Sequence, residues 1–128
     1  CRPIGCMVED KNLSGGGETI EENGMPTACG IGGENSLVFD DVMVPEDGRY
    51  VLRVLYTGGD NKDLSIQANE NEPINSYLHN TSGWAFPNWE TPGEKEFMIE
   101  LKKGKNRIRL YNDHGLISHI HGIEVIRK

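Results

Sequence analysis

An all-β sandwich or jelly roll is the fold class that this sequence predicts, on three observations. No stretch sustains apolar residues at the i, i+3, i+4, i+7 spacing of a helix face. Apolar residues instead alternate with polar ones over short runs, the period of a strand with one packed face and one wet face. Gly, Pro and Asn/Asp clusters interrupt the chain between those runs, as turns do.

The runs follow in order. Ser36–Val44 carries Leu37, Phe39, Val42 and Val44, and its Asp40-Asp41 pair predicts a bulge or a change of face. Residues 49–57 place Tyr50, Leu52, Val54 and Tyr56 on one face and Val51, Arg53 and Leu55 on the other. Residues 63–69 alternate Leu64, Ile66 and Ala68 with Ser65 and Gln67. Residues 95–101 alternate Phe97, Ile99 and Leu101 with Glu96, Met98 and Glu100. Residues 106–111 turn Ile108 and Leu110 inward, with Arg107 and Arg109 outward. The last run, 119–126, holds Ile123 and Val125 on one face. Pro45-Glu46-Asp47-Gly48, Thr57-Gly58-Gly59-Asp60-Asn61 and Lys102-Lys103-Gly104-Lys105-Asn106 read as turns between them. Residues 15–24 are polar and Gly-rich, and a long loop or an irregular edge is expected there. Residues 75–92 show few strand signals yet hold both tryptophans.

The length of 128 residues suits one domain, 1–128, with its own core. No run approaches the roughly 20 apolar residues of a membrane span, and no signal or transit segment is visible. The chain opens on Cys1 rather than Met, so a piece of a longer precursor is expected. A net charge of −7 with scattered Lys and Arg argues against nucleic acid and anionic membrane as partners. The three cysteines form no CxxC pair, which excludes a zinc ribbon or thioredoxin-type motif. A Cys6–Cys29 disulfide fits a secreted chain and leaves Cys1 odd, and free, buried cysteines fit equally.

Function points to the tryptophan segment. Trp84 and Trp89 lie in Asn80-Thr81-Ser82-Gly83-Trp84-Ala85-Phe86-Pro87-Asn88-Trp89, among loop-forming residues. Sugars stack their C–H faces on indole rings and need amides, carboxylates or imidazoles for their hydroxyls. Tryptophans that plug the end of the sandwich are the other reading. His119 and His121 are two apart and share a face on a regular strand. They read as a transition-metal pair or, for His121 beside Ile123 and Val125, as a hydrogen-bonded core histidine. Asn112-Asp113-His114-Gly115 reads as a turn that is also free to contact a ligand. No GxSxG, HExxH or phosphate-binding glycine loop is present, and no enzyme activity is expected.

Several segments in order carry a family likeness. Cys6-Met7-Val8-Glu9-Asp10 precedes Leu13-Ser14-Gly15-Gly16, and Gly30-Ile31-Gly32-Gly33-Glu34-Asn35-Ser36-Leu37-Val38-Phe39 follows. Then come Val44-Pro45-Glu46-Asp47-Gly48-Arg49-Tyr50-Val51-Leu52-Arg53-Val54-Leu55-Tyr56 and Leu101-Lys102-Lys103-Gly104-Lys105-Asn106-Arg107-Ile108-Arg109-Leu110. His119-Ile120-His121-Gly122-Ile123-Glu124-Val125 closes the set. This order resembles carbohydrate-binding modules of families 35 and 6 across nearly the whole chain. The resemblance implies a jelly-roll β-sandwich of two antiparallel sheets. It also implies a non-catalytic module attached to the catalytic domain of a secreted or cell-surface glycoside hydrolase, binding a polysaccharide or oligosaccharide. Its implied ligand residues are Trp84 or Trp89 and His119, with Asn112 and Asp113 as neighbours. Gly30 stands where the family often adds an aromatic. A structural sandwich packed on its neighbouring domain, without sugar binding, is the alternative.

The resemblance further implies a structural calcium between the first and last strands. Of its ligand positions Glu9 survives, while Met7 and His121 stand at the others. A degraded or empty calcium site is expected, with Met7 and His121 packing instead, because a thioether and an imidazole suit a hard cation poorly.

Overall fold

A computed structural model describes residues 4–22, 25–58, 61–79 and 93–127. Among the described residues eleven strands run in chain order: β1 Ile4–Met7, β2 Leu13–Ser14, β3 Glu18–Glu22, β4 Met25–Cys29, β5 Ser36–Val44 and β6 Gly48–Thr57, then β7 Lys62–Ala68, β8 Ile74–Leu78, β9 Gly93–Leu101, β10 Gly104–Tyr111 and β11 His119–Arg127. They form the expected all-β sandwich of two antiparallel sheets. The larger has the order β3-β4-β11-β6-β9, with β1 also paired to β11. The smaller has the order β2-β5-β10-β7-β8. The strands of the larger sheet with one neighbour each are thus β1, β3 and β9. Among the described residues, no helix is long and apolar enough to cross a membrane.

Period-2 alternation built the core as the sequence implies. Tyr50, Leu52, Val54 and Tyr56 of β6 are buried, as are Leu64 and Ile66 of β7, Phe97, Ile99 and Leu101 of β9, Ile108 and Leu110 of β10, and Ile123 and Val125 of β11. The Asp40-Asp41 bulge is present. Asn106 of β10 faces Val42 while Ile108 faces Phe39, so β5 spends one more residue than its partner there. Both aspartates consequently face water, and Asp41 sits between Lys105 (3.2 Å) and Lys11 (3.6 Å). The Lys105 hydrogen bond and charge hold its carboxyl below the usual aspartate value.

Asn106 explains the Gly104-Lys105-Asn106 segment of the sequence. Its buried amide donates to the carbonyls of Val42, Lys102 and Gly104, and its Oδ1 accepts from the Lys102 N–H. One side chain therefore closes the β9–β10 turn and pins it to β5. Gly104 takes the positive φ that this turn requires.

The structure differs from the sequence reading at several places. Residues 15–24, expected as a loop or irregular edge, hold β3, which pairs with β4 and forms a sheet edge. Residues 75–92 contain most of β8, which pairs with β7. Its short apolar set, Ile74 and Leu78 around polar Asn75 and Ser76, gave no strand signal. Cys29 is half-buried rather than buried, with its thiol 3.7 Å from Glu18 Oε1. The Cys6 side chain and Cys1 lie outside the described residues.

Candidate functional site

Strand pairing brings four connections to one end of the sandwich. Ser36 faces Tyr111, Thr57 faces His119, Tyr56 faces Gly93 and Lys62 faces Leu78. The connections 30–35, 58–61, 79–92 and 112–118 all leave from that level. The third of these passes from the smaller sheet to the larger. Trp84 and Trp89 fall in it and lie outside the described residues. Its first residue, His79, makes a backbone hydrogen bond to Tyr56, whose phenol is pushed above its ordinary pKa by burial and drawn back by that bond.

Two of the connections are zipped together. Gly33 N–H donates to the Asn112 carbonyl (2.7 Å), and Ile117 N–H donates to the Ile31 carbonyl (2.8 Å). Between these bonds Gly32 bridges Leu116, so close that a Cβ on Gly32 would lie 2.1 Å from the Gly115 carbonyl oxygen. Only glycine permits this approach.

Asn112 is buried, and both ends of its amide are engaged. Nδ2 donates to the Asp63 carbonyl (3.2 Å), and Oδ1 accepts from the His114 N–H (3.0 Å), an Asx turn. It organises the loop, and Asp113 and His114 project from it exposed. His119 opens β11 at the same end and is half-buried opposite Thr57.

A groove of about 740 Å³ starts at this end and continues over the outer face of the smaller sheet. Leu64 and Ile66 of β7 face the core, so Asp63 and Ser65 face out, and pairing sets Tyr77 and Asn75 of β8 and Tyr111 of β10 beside them. Asp113, His114, Glu72 and Pro73 complete the lining from the loops. Tyr77 is 43% exposed. The Lys95 ammonium lies 3.7 Å above its ring centroid, and His79 meets it edge-on at 4.8 Å. The Arg109 guanidinium lies 4.0 Å over Tyr111. Sequence reasoning missed Asp63, Tyr77 and Tyr111. Each follows alternation on its own strand, but their meeting depends on the order β10-β7-β8, which no local pattern encodes.

The residues at the implied calcium positions do not fit that ion. His121 is fully buried, its Nδ1 2.9 Å from Thr27 Oγ1 and its Nε2 2.7 Å from Thr57 Oγ1. The register shifts between Ile120 and Gly122, and His121 meets the hydroxyl of Thr57, the residue that pairs with half-buried His119. Met7 was expected to pack inside and is instead 43% exposed. Glu9 is exposed, with its carboxylate 3.7 Å from the Lys11 ammonium. Of the three side chains only Glu9 offers hard oxygens, and both nitrogens of His121 are engaged by threonine hydroxyls.

No family model matches this chain, and no curated protein matches it. Solved structures do. A family 35 carbohydrate-binding module from Clostridium thermocellum is 25% identical, with a TM-score of 0.83 over 96% of this chain and 98% of that one. The C-terminal family 6 module of a marine laminarinase from Zobellia galactanivorans is 16% identical, with a TM-score of 0.74 over 98% of this chain and 100% of that one. An exo-β-1,3-galactanase from Phanerochaete chrysosporium is 12% identical, with a TM-score of 0.83 over 98% of this chain but 29% of the galactanase. The chain thus resembles modules of families 35 and 6 over its full extent, and matches only a part of a larger enzyme.

Proposed function

We propose that this chain, a sandwich of the kind found in carbohydrate-binding modules of families 35 and 6, binds carbohydrate without catalysis and holds an attached secreted glycoside hydrolase on its substrate. One observation carries the reading. A groove lined by Tyr77, Tyr111, Asp63, Asn75, Asp113 and His114 opens at the end where the tryptophan-bearing connection crosses between the sheets. Carboxylate, amide, phenol and imidazole groups suit the hydroxyls of a sugar. In this reading Trp84 and Trp89 stack on the ligand, Asp113 and His119 hydrogen-bond it, and Asn112 holds Asp113 in position. The modules that match this chain end to end support it.

Affinity gel electrophoresis across a panel of polysaccharides tests the proposal. Trp84→Ala or Trp89→Ala is expected to lower affinity by about 1.5–3 kcal/mol, the scale of one buried apolar side chain, with the melting temperature unchanged. Retention on no glycan would favour the second reading, a sandwich packed on a neighbouring domain. The observation behind that reading is an apolar row on the outer face of the larger sheet, where Met98, Val51 and Ile126 stand side by side on three strands.

A further inference from the structure

The charge of the groove names a class of glycan. Three carboxylates line it: Asp63 on β7, Glu72 in the β7–β8 turn and Asp113 in the loop after β10. All three are exposed, and none makes an ion pair or side-chain hydrogen bond among the described residues. Among the described residues no lysine or arginine belongs to the lining, where His114 is the one basic side chain. Several acidic groups elsewhere sit beside a cation. Asp41 lies between Lys11 and Lys105, Glu94, Glu96 and Glu124 surround Arg53, and Glu46 pairs with Arg127.

Two cations that border the groove are engaged on its rings. The Lys95 ammonium sits over the Tyr77 ring and donates to the Tyr77 carbonyl at 2.7 Å, and Arg109 is stacked on Tyr111. Both tyrosines of the groove therefore already carry a positive group on the ring face, as aromatic faces favour. A cleft lined by one sign of charge focuses its field and raises the local concentration of the opposite sign.

We infer that this groove takes glycans bearing free amino groups, such as N-deacetylated hexosamine chains, ahead of neutral ones, and excludes polyuronates and sulfated glycans. The inference rests on the carbohydrate-binding reading and specifies its ligand. A protonated amine pairs with Asp63, Asp113 or Glu72, and a uronate meets three like charges, with Lys95 and Arg109 held on the tyrosine rings.

Isothermal titration of the full chain at pH 6 tests it with three probes: an N-deacetylated chitooligosaccharide, its N-acetylated counterpart and an oligogalacturonate. The deacetylated oligomer is expected to bind at least tenfold tighter than the acetylated one at low salt. That preference should vanish in about 1 M salt, where the screening length falls to about 3 Å. The double variant Asp63→Asn with Asp113→Asn should lose it, whereas Glu21→Gln with Glu100→Gln, an equal change of net charge outside the groove, should keep it. Glu72→Gln alone should weaken it in the same direction. Equal binding of the acetylated oligomer, any binding of oligogalacturonate, or equal loss in both double variants overturns the inference and leaves the carbohydrate reading standing. Binding of none of the three, together with no retention on the polysaccharide panel, overturns both.

Discussion

His121 joins three strands of the larger sheet through one ring. Its imidazole bridges Thr27 of β4 and Thr57 of β6 from its own position on β11. A neutral ring donates at one nitrogen and accepts at the other, and each hydroxyl supplies the complementary role. His121→Ala removes the ring from a fully buried site and leaves both hydroxyls without it. The expected cost is about 3 kcal/mol, combining cavity and unsatisfied-donor effects, read from urea unfolding. A change below about 1 kcal/mol would show that the bridge contributes little. The sequence allowed either a metal-pair or a core reading for this residue, and the choice turned on two threonine hydroxyls 94 and 64 positions away, which spacing alone does not announce. Asn112 was legible as a turn residue, but the engagement of both ends of its amide depends on Asp63, 49 positions away.

At the scale of elements, alternation made the strands from Ser36 onward legible, because each has one buried and one wet face. β8 and the β3–β4 pair were not, since their pairing owes more to partner strands than to their own composition. Residues 30–35 and 112–118 are likewise joined by backbone bonds, which leave little trace in sequence beyond glycine. Gly32 adopts φ +153°, and a Cβ there would collide with the Gly115 carbonyl. Gly32→Ala is expected to cost about 1–3 kcal/mol and to reduce glycan retention, because Asp113 and His114 lose their frame. Gly33→Ala is the matched comparison: φ is +62° there, but a Cβ meets nothing within 4 Å. It should cost less and preserve retention. Equal losses in the two variants would mean that backbone strain, not contact between the loops, governs the site.

For the whole molecule, family likeness in sequence foretold the sandwich but not which inherited features persist. A thioether (Met7) and a hydrogen-bonded imidazole (His121) stand where a calcium would want oxygens, and Lys11 stands beside Glu9. The thermal midpoint is therefore expected to be the same in EDTA and in millimolar calcium. An ion bound to the folded state raises stability with its concentration, so a calcium-dependent rise of several degrees would show that oxygen ligands converge after all.

The edge strands β3 and β9 have one further consequence. An unpaired strand edge is a template on which another chain can assemble. β3 reads Glu-Thr-Ile-Glu-Glu, and β9 exposes Glu94, Glu96 and Glu100. These two edges of the larger sheet thus carry negative charge, and two copies meeting through them repel before their backbones can pair. Growth of a fibre through β3 or β9 is disfavoured.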